Sequence, residues 1–458
     1  MFGWSKNEFR FCGFYDKRMT KSVMNMADAV SKDTVTSFSA AVGPAIRQAA
    51  TRTFHNERVT VDVMLSGHQK ATLERLEGHD YVYGITDTTV FNLTGHKALK
   101  GIGSLNNKES SRGLLAHNSL VCSESGTPLG VVDVDFWARD PEKEEEPEQK
   151  GSKVPIEKKE SYKWIKSMNA VENQLSSYLD GGGRLIIIND RESDYYDFFV
   201  ANRHVNTDLL IRVAQNRKVQ IDSEHEISLY ESVASVSPCD NYEISLIEEK
   251  THKKRIAKME LRYQEVLLLP PVDKRKEFSP ITVWVVTATE IDAPEGVSAL
   301  SWRLLSTIKV KNKEEARLAV DRYRHRWLIE ILHHVMKSGL NAEKLQFSDL
   351  NSLENALALY YVIAWQVLWL LHSSRENPDL PAYTFLDPDE IEALSGITKK
   401  PIKTMLEVVK AIASLGGYHA YAKAPLPGVK MVWLGLRRFA DIMVGVDLFK
   451  SRDSLVPV

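Results

Sequence analysis

The spacing of hydrophobic positions changes several times along the chain, and each change marks a segment. Residues 1 to about 75 carry apolar positions at helical spacing, which predicts helices near 19–31, 37–53 and 64–76 with breaks at Gly43-Pro44 and around Asn56. Val23, Met24, Met26 and Ala27 then face a small core, leaving Lys17, Arg18, Lys21, Arg47 and Arg52 outside. From Tyr81 the period shortens to two. YVYGITDTTVFNL, RGLLAHNSLVCS and PLGVVDVDFWA are β-branched runs parted by polar stretches, the pattern of an antiparallel meander. Residues 140–160, DPEKEEEPEQKGSKVPIEKKE, are charged and aperiodic and predict a loop. SYKWIKSMNAVENQLSSYL returns to helical spacing, with Trp164, Ile165, Met168, Val171 and Leu175 on one side. Gly181-Gly182-Gly183 ends that helix; no GK[ST] follows, so the glycines read as a stop and not as a phosphate loop.

RLIIIND is an apolar run of the kind buried in a sheet centre, and it ends in Asp190. DRESDYYDFF reads as the turn into a helix, with Glu192 and Asp194 orienting Arg191 or capping. DLLIRVA is a further short strand with Arg212 near its end. Between Lys218 and Thr307 the runs EISLYES, YEISLIEE, AKMELRYQEVLLL, ITVWVVTATEI and LSWRLLST are strand-like, and no helix is expected among them. Lys313 to Lys337 predicts one long helix, N-capped by Asn312 with Glu315 three residues on and stopped by Gly339. Further helices are expected at 352–373, 388–395, 400–415 and 433–449.

Composition narrows the class. A chain of 458 residues with 43% hydrophobic content has the material for about two to four packed units. The net charge of −2 excludes a polycation, so affinity for nucleic acid has to come from local patches. Such patches are Lys17, Arg18 and Lys21; Arg322, Arg324 and Arg326; and Lys399, Lys400, Lys403, Arg437 and Arg438. Cys12, Cys122 and Cys239 show no CxxC spacing, which argues against a disulfide framework or thiolate metal site and fits a reducing cytoplasm. No signal peptide is expected, and the most apolar run, Ala356 to Leu371, reads as a buried helix instead of a membrane span.

Three acids occupy informative places. Asp87 sits inside a strand among apolar neighbours, where an acid is out of place unless it binds something. Asp190 follows a central strand, the end at which open α/β sheets place their chemistry. Asp133 and Asp135 alternate with Val132, Val134 and Phe136 and read as facing water. Glu330 is the third acid. On a continuous helix at about 100° per residue, Tyr323, Arg326, Glu330 and Lys337 share a stripe roughly 60° wide. A carboxylate flanked by two cations and a phenol suits a metal held beside phosphates, and it equally suits a solvated, salt-bridged face. Trp302, near the end of the β-rich region, can stack on an unpaired base or fill a core.

Three strands, a helix, a strand and a helix, with acids at these points, is the order of an RNase H-like core. The chain resembles the bacterial DDE transposases of insertion-sequence family four, most closely the subgroup containing the transposase of transposon five. The resemblance rests on ITDTT around Asp87, SRGLLAHNSL from Ser111 to Leu120, IINDRESD around Asp190, and Tyr323-xx-Arg326-xxx-Glu330-xxxxxx-Lys337, the YREK signature of that family. It runs from about residue 16 to residue 450. It implies an α/β fold with a helical DNA-end-binding domain at 1–75, an RNase H-like catalytic core at 76–217 and 308–373, a β-rich insertion at 218–307, and a C-terminal helical domain at 374–458 able to dimerise.

The resemblance further implies that Asp87, Asp190 and Glu330 are a metal-binding DDE triad for two Mg²⁺ or Mn²⁺ ions, making the protein a metal-dependent endonuclease and strand-transfer enzyme. Tyr323, Arg326 and Lys337 would hold phosphates of the transposon end, Trp302 would stack a flipped base, and Arg212 would lie near the DNA. The implied reaction is cut-and-paste transposition through a DNA hairpin. The implied partners are transposon-end DNA, target DNA and a second copy in a homodimer, with no membrane, in the cytoplasm at the bacterial nucleoid. Two departures stand out: position 334 is His where the close relative has Lys, and the N-terminus is shorter. A non-catalytic inhibitor of an active transposase and an RNase H-like nuclease without strand transfer are the alternatives.

Overall fold

The computed structural model describes residues 4–32, 38, 42–105, 111–139, 154–221, 225–247, 254–421 and 425–453. Most of the charged loop expected at 140–160 lies outside the described residues. In chain order the strands are β1 (Tyr81–Asn92), β2 (Gly103–Ser104), β3 (Arg112–Ser123), β4 (Pro128–Trp137), β5 (Arg184–Asn189), β6 (Thr207–Arg212), β7 (Lys218–Gln220), β8 (Glu226–Ser228), β9 (Asp240–Ile247), β10 (Lys254–Leu268), β11 (Ile281–Ile291) and β12 (Ser301–Ser306). Together with the helices they make a mixed α/β protein in two compact units.

One unit comprises His79–Asp87 and Pro147–Trp327. Its sheet begins with parallel pairs: β1 runs beside β5, Tyr81 opposite Arg184 through Ile85 opposite Ile188, and β5 beside β6. Both faces of β5 are covered, which is why RLIIIN has no polar alternation; Leu185, Ile186, Ile187 and Ile188 are all buried. The helix Lys163–Gln174 buries Trp164, Ile165, Met168 and Val171, the side its spacing predicts. Gly182 takes φ of 94° in the turn that follows Ser176–Asp180, a conformation glycine adopts without steric cost, so the triple glycine is the expected stop. Beyond β6 the pairing turns antiparallel through β12, β11 and β10. This region also holds a helix, Leu229–Ala234, where EISLYES had suggested only strand. Its start is fixed by a capping box between Ser228 and Glu231, a local signal that outweighs the alternating pattern before it.

The Lys313–Lys337 stretch also departs from expectation. Asn312 caps a helix as predicted, but that helix ends at Arg324, a second one spans Trp327–His334, and a π turn runs from Val335 to Gly339. Tyr323 and Arg326 therefore do not lie with Glu330 and Lys337 on one continuous helical stripe.

The other unit comprises Met1–Gly78, Thr88–Glu146 and Leu328–Val458. Helices Trp4–Phe9, Lys17–Lys32, Pro44–Phe54 and Val61–Arg75 pack with the antiparallel β3–β4 pair and with Leu350–Glu376. That last helix is long and apolar enough to cross a bilayer, yet 89% of its most apolar window is buried, so it serves as the core helix of the unit. Pro388–Thr398, Met405–Leu415 and Val429–Asp453 complete the C-terminal part. A buried polar cluster joins the first helix to the hairpin: His68 Nδ1 lies 2.5 Å from Glu8, Arg75 donates to the same carboxylate at 2.8 Å, and the Val131 amide donates to His68 Nε2 at 2.9 Å.

Candidate active site

Asp87 sits on β1 two residues past Ile85, and Asp190 sits two residues past Ile188, its partner on β5. The two acids therefore stand just past the last parallel pair of β1 and β5, Asp87 inside the longer β1 and Asp190 directly after the end of β5. A bond between the residues just before them fixes this: the Thr86 hydroxyl donates to Asn189 Oδ1 at 2.6 Å, both residues being buried. Asp190 also caps the turn Arg191–Ser193, accepting from the Glu192 amide at 2.8 Å, so its side chain is held in one orientation. Burial pushes the Asp190 carboxyl above the usual carboxylate range, and the charge of Glu192 adds to this; the Glu192 amide, Arg326 and Lys163 pull the other way.

Arg326 serves both acids. Its Nη1 lies 3.2 Å from Asp87 Oδ2, with both side chains largely buried, and its charge acts on Asp190. Tyr323 is buried beside the same group, and burial raises its phenol while Arg326 and Arg212 oppose the rise. Arg212 acts on the Tyr323 hydroxyl through its charge and through a side-chain hydrogen bond of imperfect geometry. A buried hydroxyl held so loosely has capacity left for a ligand oxygen. Arg212, at the end of β6, donates from Nη2 to the Ser301 carbonyl at 3.4 Å, and half-buried Trp302 is the next residue on β12. Asp87, Asp190, Arg326, Tyr323, Arg212 and Trp302 thus belong to one unit.

Glu330, His334 and Lys337 belong to the other. Glu330 stands in the first turn of the Trp327–His334 helix. His333 on that helix is anchored in the core, its Nε2 lying 2.7 Å from Asn118 Oδ1. Exposed His334 places its ring 5.3 Å from that of Trp433. Lys337 lies in the π turn, an irregularity frequent at functional sites, with its Nζ 6.0 Å from the Phe91 ring; burial lowers its ammonium below the usual range, against the opposing charge of Glu343.

Glu192 and Asp194 do not hold Arg191. Glu192 pairs with Lys163 at 3.2 Å, while buried Asp194 accepts from the amides of Ala214 and Gln215 and pairs with Arg217, tying the turn after β5 to the end of β6. Spacing could not reveal that arrangement, because Arg217 lies far along the chain. Asn189, by contrast, stands out in the sequence as a polar residue closing an otherwise apolar strand.

The donors fit a hard divalent cation. Mg²⁺ and Mn²⁺ take carboxylate oxygens, and Mg²⁺ is commonly held by one or two carboxylates with waters and phosphate oxygens completing the shell. Asp87 and Asp190 supply two such groups side by side, and a cation there relieves the burial that disfavours the Asp190 anion. Among the described residues, no group of three or more His, Cys, Asp and Glu side chains is gathered as a metal set.

Residues 187–366 match the family model described as the transposase DDE domain, and residues 362–454 match that described as the transposase Tn5 dimerisation domain. The first match includes Asp190 and Glu330 and begins after Asp87. Among solved structures the chain is similar to a cryo-EM structure of the piggyBac transposase synaptic complex with hairpin DNA, at a TM-score of 0.37 and 10% identity, covering 96% of this chain and 76% of that one. The domain content is that of a DNA transposase.

Proposed function

We propose that this transposase carries out cut-and-paste transposition, with an RNase H-like core whose Asp87, Asp190 and Glu330 hold two divalent cations, Mg²⁺ or Mn²⁺. The observation that carries the reading is the pair of acids just past the last parallel pair of β1 and β5, with an arginine of the YREK set paired to Asp87 and its charge acting on Asp190. The ions, when bound, make water and then a DNA 3′-hydroxyl nucleophilic and offset charge on the leaving oxygen.

The residues divide the remaining work. Arg326 balances the charge of Asp87 in the free protein, and its planar fork would suit a phosphate oxygen were cations to balance that acid instead. The Tyr323 hydroxyl, beside Arg212, donates to a phosphate oxygen. Lys337, His334 and Arg212 add contacts to the transposon end, and Trp302 stacks a base flipped during hairpin formation. The C-terminal domain pairs two copies on two ends, and target DNA receives the freed 3′ end.

Glu330→Ala is the test. It abolishes Mg²⁺-dependent cleavage and leaves DNA binding within about twofold, because the acid serves the metal and not the fold. Normal cleavage by the variant refutes the triad. Joining of a pre-cut end by the wild type separates a transposase from a nuclease or a non-catalytic inhibitor.

A further inference from the structure

The residue after Trp302 points to the opposite face of the sheet. There Arg303 of β12 stands opposite Thr287 of β11, and Thr287 opposite Arg262 of β10, so three polar side chains form a row across three strands. With Thr289, Val285 and Tyr230 this row lines a cavity of about 100 Å³ beneath the Leu229–Ala234 helix.

Its two arginines are held differently. Arg262 donates from Nε to the Val236 carbonyl at 2.8 Å and places Nη1 2.5 Å from Glu260. Arg303 stacks its guanidinium 4.4 Å over the Tyr230 ring, and among the described residues no carboxylate pairs with it. One acid therefore stands against two guanidiniums, and the cavity carries net positive charge. A guanidinium fork fixed on an aromatic face, beside two threonine hydroxyls, presents the donors that a tetrahedral oxyanion takes. Small-molecule pockets run to roughly 300–1,000 Å³, so this one admits a single group and no nucleotide base.

We infer that this cavity binds one phosphate of a DNA backbone, on the sheet face opposite Trp302. The source of the phosphate rests on the transposase reading; the oxyanion chemistry does not.

The test measures the affinity of the full chain for a short duplex of arbitrary sequence against salt concentration, for the wild type, Arg303→Ala, Arg303→Gln and Glu330→Ala. Inorganic phosphate is titrated in parallel, with melting temperature as the readout. Losing one phosphate contact lowers the slope of log affinity against log salt by about 0.9. Both Arg303 variants show that loss at an unchanged melting temperature without phosphate, and Glu330→Ala keeps the wild-type slope. Unchanged slopes in both Arg303 variants overturn the inference. If phosphate stabilises the wild type but not the variants while the slopes coincide, the cavity holds an adventitious ion only and the DNA assignment fails. No DNA binding by the wild type overturns the transposase reading and the DNA source together, whereas normal cleavage by Glu330→Ala alongside a reduced slope in the Arg303 variants removes the triad and leaves the cavity.

Discussion

At the scale of single residues, hydrogen-bond partners fix chemistry that residue type alone leaves open. His68 shows this. Its Nε2 accepts from the Val131 amide, so the proton of the neutral ring lies on Nδ1, pointing at Glu8. Protonating Nε2 would break the Val131 bond in a buried setting, and burial accordingly lowers the ring below its ordinary value of 6.5, against the pull of Glu8. The unfolded chain takes up this proton as pH falls through 6.5 while the folded chain resists, so the contribution is present above 6.5 and shrinks below it. Denaturant melts between pH about 7.5 and about 5.5 should show stability falling with acid, and less steeply in His68→Gln. Equal slopes in both proteins would exclude the cluster as the cause. None of this was legible in the sequence, because Glu8, His68 and Val131 are about 60 residues apart in each step. Asp87 and Asp190 stand out as candidates within a few residues, Asp87 as an acid inside a buried strand and Asp190 as the acid directly after an apolar one.

At the scale of elements, periodicity located strands and helices well where one interaction dominated. The runs at β1, β3, β4 and β5 were recognisable from their buried, β-branched residues. The break at His325 and Arg326 was not, since neither glycine nor proline marks it and Tyr83 stacks on His325 at 5.3 Å from a distant strand. Close helix packing was hidden as well. A Cβ on Gly435 would meet the Ile412 carbonyl at 1.8 Å, and one on Gly416 would meet that of Met431 at 2.0 Å, so Met405–Leu415 and Val429–Asp453 touch backbone to backbone. Gly435→Ala should destabilise by about 1–3 kcal/mol through overpacking. Gly445→Ala, on the same helix with nothing within 4 Å, should be neutral or stabilise by up to about 1 kcal/mol. Equal melting temperatures for the two variants would contradict the packing.

At the scale of the whole molecule, the proposal requires two copies acting on two DNA ends. The helix Val429–Asp453, within the region matching the Tn5 dimerisation domain, exposes Ile442, Val444, Leu448 and Phe449. Apolar side chains exposed on a helix in this region suit an interface with a second copy. Leu448→Asp with Phe449→Asp should shift the DNA-bound protein from dimer to monomer in sedimentation, with loss of paired-end cleavage. A dimer that persists would place the interface elsewhere.

The central claim is that Asp87, Asp190 and Glu330 share one pair of cations. Fe²⁺ bound in place of Mg²⁺, with peroxide added, generates hydroxyl radicals that cut the polypeptide beside the metal. Mapping the fragments of the DNA-bound protein should give cuts clustered around residues 87, 190 and 330, all suppressed by excess Mg²⁺. Cuts near 87 and 190 that leave the surroundings of Glu330 intact would contradict the account.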